Sequence, residues 1–266
     1  MIGSLQTGVS GLQQFQQDLQ VIGNNIANVN TVGYKSASMD FEDSLSQNLA
    51  SGPVMQVGTG VATASINSNF TQGTLNTTGV PTDLAVSGDG FFLVKDASSG
   101  LTYATRDGEF HLDANGYLVN ANGNRVQGLM GSSATVTDLQ INSASAVAAL
   151  NDTTTPAPTL QSYSINSTGQ ITATLSDGTS GVIGQFVLQD FTNPQALMKQ
   201  GNNLYSFTAD SGPLASPGMP DTGGLGQIVS GAVETSNVDL AGQMADLITA
   251  QRAFEANAKI ITTSDE

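Results

Sequence analysis

The two ends of this chain carry the same pattern, and that pattern limits the fold more than any other feature. From Ile2, large apolar residues fall at Leu5, Val9, Leu12, Phe15, Leu19, Ile22, Ile26 and Val29. Steps of three and four sustained over that length put one apolar stripe on a helix, close to a heptad seam. The other faces carry Gln13, Gln14, Gln16, Gln17 and Gln20, polar but uncharged, where a freely solvated helix usually shows Lys and Glu. At the far end Leu240, Met244, Leu247, Gln251, Phe254, Ala258 and Ile261 repeat the spacing. Ser236 or Asn237 is placed to cap that helix, with Asp239 three beyond Ser236 as in a capping box. Gln251 interrupts the seam, the kind of polar residue that fixes register at some cost in stability. With β-type sequence between them, the two stripes read as needing more than one ordinary core to cover them.

Between Gln20 and Lys35 the first helix carries Asn24, Asn25, Asn28 and Asn30. The apolar beat predicts that the helix persists through Ile26 and Val29, with Asn30, Thr31 and Gly33 ending it by turn chemistry. The middle of the chain reads as β. Leu84 to Ser87, Phe91 to Lys95, Leu101 to Arg106 and Glu109 to Leu112 are predicted strands, as are Ile171 to Leu175 and Val182 to Leu188. Gly88-Asp89-Gly90, Asp107-Gly108, Asn115-Gly116, Asn122-Gly123 and Ser176-Asp177-Gly178 supply turn signals that favour hairpins. Leu139 to Pro158 is an Ala/Ser/Thr/Asn-rich excursion, and Pro213 to Gly226 a Pro/Gly-rich loop. The fold class is α+β, mainly β, in four parts: an N-terminal helix (1–32), an extended linker region (33–75), a β-rich domain (76–235) with a variable insert near 131–181, and a C-terminal helix (236–266).

Composition removes most chemistry. The 266 residues hold 22 acids against 7 bases, a net charge of −15, and so acidic a chain repels nucleic-acid backbones. Cysteine is absent and His111 is the one histidine, which excludes disulfides, thiolate catalysis, triads and cysteine or multi-histidine zinc sites. Asp40, Glu42 and Asp43 form the densest acid cluster and read as solvated carboxylates. The stretch from Asp113 to Asn124 lacks the acid spacing of a calcium loop and reads as two Asn-Gly turns around a strand. No catalytic, cofactor or metal residues are assigned. The first lysine is Lys35, so the N-terminus lacks the basic start of a secretory signal, and no stretch is apolar enough to span a bilayer. The expectation is a cytosolic chain, or one exported by a route that reads another signal.

Four stretches carry a family resemblance: "VIGNNIANVNTVGYK" (Val21 to Lys35), "DLAVSGDGFFLV" (Asp83 to Val94), "ATRDGEFHLDANGYLVNANGNRVQG" (Ala104 to Gly128) and "SGAVETSNVDLAGQMADLITAQRAFEANAKIITTSDE" (Ser230 to Glu266). Together they resemble the rod and hook proteins, the axial family of the bacterial flagellum. The resemblance implies that the terminal helices pair as a coiled coil lining an export channel, with the β domain outside. It implies type III export of an unfolded chain without a cleaved signal, and terminal helices that order on assembly. It implies location in the hook or basal body, and as partners further copies, the rod, hook cap and hook–filament junction proteins and the export apparatus. It also implies truncation, because family helices continue past a "TTSDE"-like stretch.

Within the family, Ser38 to Val61 resembles the distal rod protein but lacks an extra stretch usual before the "GTGV"-like turn. "NNIANVNTVGYK" and the ending are closer to the hook protein, so the expectation is a short hook subunit, with the distal rod as runner-up. The expected assembly interface is Leu5, Val9, Leu12, Leu19, Ile22, Asn24, Asn25, Ile26 and Asn28, with Leu240, Met244, Leu247, Gln251, Phe254 and Ile261. Two other classes make different demands on the chain. A secreted adhesin or binding module would keep its activity in a fragment of roughly residues 75–230, and a carboxylate-based hydrolase would need acids converging in a cleft.

Overall fold

The computed structural model describes residues 2–44, 46–48, 56–131, 135–150, 158–212 and 217–265. Among these are three α-helices, α1 (Ile2–Ala27), α2 (Ser143–Leu150) and α3 (Leu240–Asp265), and a large number of short strands. The result is a mainly β central domain with an N-terminal and a C-terminal helix. The chain divides into two compact units, one of residues 1–30, 35–71 and 237–266, the other of 31–34 and 72–236.

The second unit is built on an antiparallel sheet. Its main path runs Leu160–Ile165, Gln170–Leu175, Ser180–Phe186, Arg125–Met130, Phe91–Lys95, Thr102–Thr105, Leu204–Ser206 and Met198–Gly201. Along Gln170–Leu175 every second residue is buried, the period-2 pattern of a strand with one covered face. Those residues, Ile171, Ala173 and Leu175, join Phe92, Phe110, Phe186 and Leu118 in one apolar core. Phe92 meets Phe110 edge-on at 5.3 Å, a favoured aromatic geometry. The Asn-Gly turns behave as expected: Leu118–Val119 pairs back on His111–Leu112 and forward on Arg125.

Two other turn signals do not close hairpins. Leu84–Ser87 pairs with Gln227–Ser230 near the end of the unit, not with Phe91–Lys95 across the Gly88-Asp89-Gly90 turn. Gly226 N–H donates to the Asp89 carbonyl at 2.7 Å, so the turn is held by a distant segment. At Asp107-Gly108 the glycine serves close approach: a Cβ on Gly108 would land on the Leu84 carbonyl oxygen, and the Leu84 N–H donates to Gly108 O at 3.0 Å. The region of the expected insert contains α2, whose first turn is capped reciprocally by Asn142 and Ser145, and the strand Leu160–Ile165, neither of which the sequence reading names. Within that region 132–134 and 151–157 lie outside the described residues, as do 213–216 in the Pro/Gly-rich loop.

Asp107 is half-buried beside this close approach. Burial pushes its carboxyl up from the ordinary 3.8 to about 6, with the charges of Glu109 and Asp83 adding to the effect. The folded state therefore holds a proton that the unfolded chain releases near 3.8, and stability falls as pH rises from about 4 through about 6. Asp107→Asn keeps an oxygen for the Glu109 N–H, which now donates at 3.1 Å. Urea melts should show this variant gaining about 1–3 kcal/mol at pH 7.5 and nothing at pH 4. An equal gain at both pH values would remove ionisation as the cause.

Candidate assembly surface

In the first unit α1 and α3 run antiparallel. A Cβ on Gly8 would come 3.1 Å from Ile261 Cγ1, and one on Gly11 would come 2.8 Å from the Asn257 amide oxygen. Further along, Asn25 Nδ2 donates to Gln243 Oε1 at 2.8 Å. Gly11, Asp18 and Asn25 are spaced by sevens on α1, as are Gln243, Ala250 and Asn257 on α3. The contact strip is thus small or polar, which brings the backbones close but does not use most of the large apolar side chains.

The expected interface residues fall accordingly. Ile22 and Asn25 are buried, whereas Leu5, Leu12, Leu19, Ile26, Asn28, Leu247, Phe254 and Ile261 are half-buried. Val9 is 44% exposed and Met244 54%, and Leu240, Asn24 and Gln251 are also exposed. Ile248, absent from the expected set, is 57% exposed. Two helices that each bury only part of an apolar stripe leave the remainder open to water. No helix among the described residues is long and apolar enough to cross a membrane.

The polar residues of this unit do more inside the chain than the sequence reading anticipates. Asn25 accepts the Ala37 N–H at 2.9 Å and donates to the Ala37 carbonyl at 2.7 Å, so its amide pairs with a backbone as a neighbouring strand would. Asn28 Nδ2 turns back to Asn24 O at 2.9 Å, beside its own N–H at 3.1 Å, and α1 ends at Ala27, short of Val29, because the Val29 N–H reaches only the Ile26 carbonyl, three residues back. Asn237 does not cap α3. It accepts the Ser36 N–H at 2.8 Å and donates to Asn69 O at 2.8 Å. Asp239 caps instead, its Oδ1 accepting the Ala241 N–H at 3.1 Å, as expected for a carboxylate at a helix start. Lys35 is fully buried and donates to Thr71 O at 2.8 Å. Its signal was available, since it is the sole Lys or Arg before Lys95.

The segment expected as a linker forms an antiparallel ribbon, Ala37–Asp43 against Val61–Ser68. Asp40, Glu42 and Asp43 are exposed on it, and Asp40 accepts from Asn67 Nδ2 at 2.7 Å. Phe41 of this ribbon packs on Phe15 with ring centroids 5.5 Å apart. Among the described residues no group of three His, Cys, Asp or Glu is placed to hold a metal.

In the second unit the ion pair Arg106–Glu234, at 3.2 Å with both side chains buried, locks distant segments together. Glu234 also takes the Gly73 N–H at 2.8 Å, and Arg106 donates to Gly88 O at 3.0 Å while lying 5.0 Å over Phe91. Gly33 N–H donates to the Glu234 carbonyl at 2.8 Å. Segments distant in sequence converge on these two side chains.

A helical unit with open apolar flanks and a β unit closed by internal locks define a class of protein: a structural building block. Comparison with known proteins agrees. Three family profiles match, described as "Flagella basal body rod protein" over residues 5–35, "Flagellar hook protein FlgE/F/G D1 domain" over 85–173 and "Flagellar basal body rod FlgEFG protein C-terminal" over 229–266. The flagellar basal-body rod protein FlgG of Bacillus subtilis is 38% identical over all of this chain and 96% of its own length. That of Agrobacterium fabrum is 35% identical over 99% of this chain and 95% of its own length. The hook protein FlgE of Borreliella burgdorferi is 27% identical over all of this chain and 98% of its own. The chain belongs to the flagellar rod and hook family, FlgE/F/G. These relatives are structural proteins, not enzymes.

Proposed function

We propose that this chain is a distal rod subunit, polymerising with copies of itself and with neighbouring axial proteins in the flagellar basal body. The observation that carries this over the hook reading is the alignment with rod proteins, at 33–38% identity and near full length on both sides. The hook relative aligns at 27% across 435 positions, far more than this chain has residues. The expected hook assignment therefore gives way to its runner-up. Passage through the flagellar type III export apparatus belongs to the same reading. An immunolabel against this chain on isolated hook–basal bodies should mark the rod; label on the hook would overturn the assignment.

The open apolar flanks supply the chemistry of assembly, with α1 and α3 joining neighbouring pairs as a coiled-coil wall. Each fully buried large apolar side chain contributes about 1.5–3 kcal/mol, and Val9 and Met244 are exposed in the single chain. Val9→Asp and Met244→Asp should thus leave the melting of the isolated chain within about 0.5 kcal/mol of the parent while reducing polymer yield in sedimentation at least tenfold. Normal polymer yield from both would remove this helix face from the interface.

A further inference from the structure

A groove of about 340 Å³ opens in the first unit between α1, the Ala37–Asp43 strand and α3. Phe15, Ile22, Met39, Phe41 and Ala250 give it an apolar floor, and Asp18 and Asp246 stand on its two helical walls. Among the described residues no cationic side chain lines it. Burial, and then the charge of Asp246, push the Asp18 carboxyl above its ordinary value, as expected for two acids facing each other without a counter-charge. The Gln243 amide donates to Asp246 at a long 3.4 Å.

The first unit carries three basic side chains, Lys35, Arg252 and Lys259. Lys35 is buried, so the accessible cations are both on α3. Arg252 is 79% exposed and makes a 3.6 Å contact to Glu255, itself 67% exposed. Met244, Ile248 and Arg252 are four apart and share one face of the helix, an exposed stripe that ends in a guanidinium. Asp246 and Ala250 look into the groove from the other side of α3. One helix thus presents an anionic, apolar-floored recess on one side and a cationic, apolar stripe on the other.

We propose that the groove of one copy receives the Ile248–Arg252 face of α3 from a second copy, with Ile248 on the apolar floor and Arg252 between Asp18 and Asp246. This rests on the polymer reading above. The two surfaces lie on opposite sides of one helix, so the contact is heterologous: each copy filled by one neighbour fills another, which builds a ring or an open helical array and not a reciprocal dimer. An arginine fork suits two carboxylates by its planar set of donors.

The chain lacks cysteine, so two single-cysteine chains, Asp246→Cys and Arg252→Cys, report the contact directly. Mixed, assembled and mildly oxidised, they should give mixed disulfide dimers at least tenfold above either like-with-like dimer. Separately, Arg252→Asp should lower polymer yield at least tenfold, and mixing in Asp18→Arg chains should restore it to within threefold of the parent. Polymer that forms without excess mixed disulfide overturns the groove contact and leaves the polymer reading standing. A groove cysteine shielded from thiol reagents in such polymer, still without the mixed disulfide, assigns the groove to another segment and equally overturns the contact. Failure of the parent chain to assemble at all, alone or on purified rods, overturns both.

Discussion

Glu234→Ala is expected to lower the stability of the β unit by about 3–5 kcal/mol, because removing one partner of a buried ion pair strands the other. Arg106 keeps its charge, and its side chain is 4% exposed. Its Nε already lacks a hydrogen-bond partner among the described residues, so the guanidinium has little to fall back on beyond the Gly88 carbonyl and the face of Phe91. The Gly73 N–H, which donates to Glu234 at 2.8 Å, loses its acceptor as well. Arg106→Met should cost a similar amount. The double variant should cost at least about 2 kcal/mol less than the two single losses added, since coupled neighbours are not additive. Denaturant melts followed by circular dichroism measure all three; strictly additive losses would mean that the pair does not act as one.

Gly33→Ala is the second large effect, expected to cost about 3 kcal/mol or more. Gly33 sits at φ +67°, a region where a side chain costs about 1–2 kcal/mol. The larger part is steric. A Cβ there would stand 2.6 Å from Asp107 N and 2.7 Å from Arg106 C, and these are backbone atoms that cannot swing aside as a side-chain end does. Gly123 is the control, with φ +80° but open space around its Cβ position. Gly123→Ala should pay the conformational part alone, about 1 kcal/mol. If the two substitutions cost the same, contact with the 106–107 backbone is not what requires glycine at 33.

Local periodicity carried much of the fold into the sequence. The stripes that locate α1 and α3, and the alternation of Ile171, Ala173 and Leu175, each need only a few adjacent residues to be read. What failed were pairings set by distant chain. Nothing near Leu84 indicates that its strand meets Gln227–Ser230, and nothing in the Gly88-Asp89-Gly90 turn shows that Gly226 will hold it. Leu160–Ile165 was missed because its Gln and Ser residues blur the alternation. The contact of α1 with α3 takes in Asn25 and Ile261 from the expected set, but a heptad count favours large side chains and so does not point to Gly8, Gly11 and Ala250, which close approach selects. Asn25 was legible as unusual but not as a clasp, since its partner Gln243 arrives 218 residues later. Arg106 and Glu234 looked like ordinary charges until the fold brought them together.

That separation sets a timetable. The helical unit takes its parts from residues 1–30, 35–71 and 237–266, so no single run of chain contains it. A polypeptide that emerges N-terminus first displays α1 while α3 does not yet exist, and the Gly8, Gly11 and Asn25 side of α1 waits through the whole synthesis of the β unit. The β unit lacks nothing once Ser236 is out. Doubling the length of a loop adds only about 0.6 kcal/mol to the cost of closing it, but the step cannot begin until α3 itself is present. The helix pair therefore comes into being after the β unit.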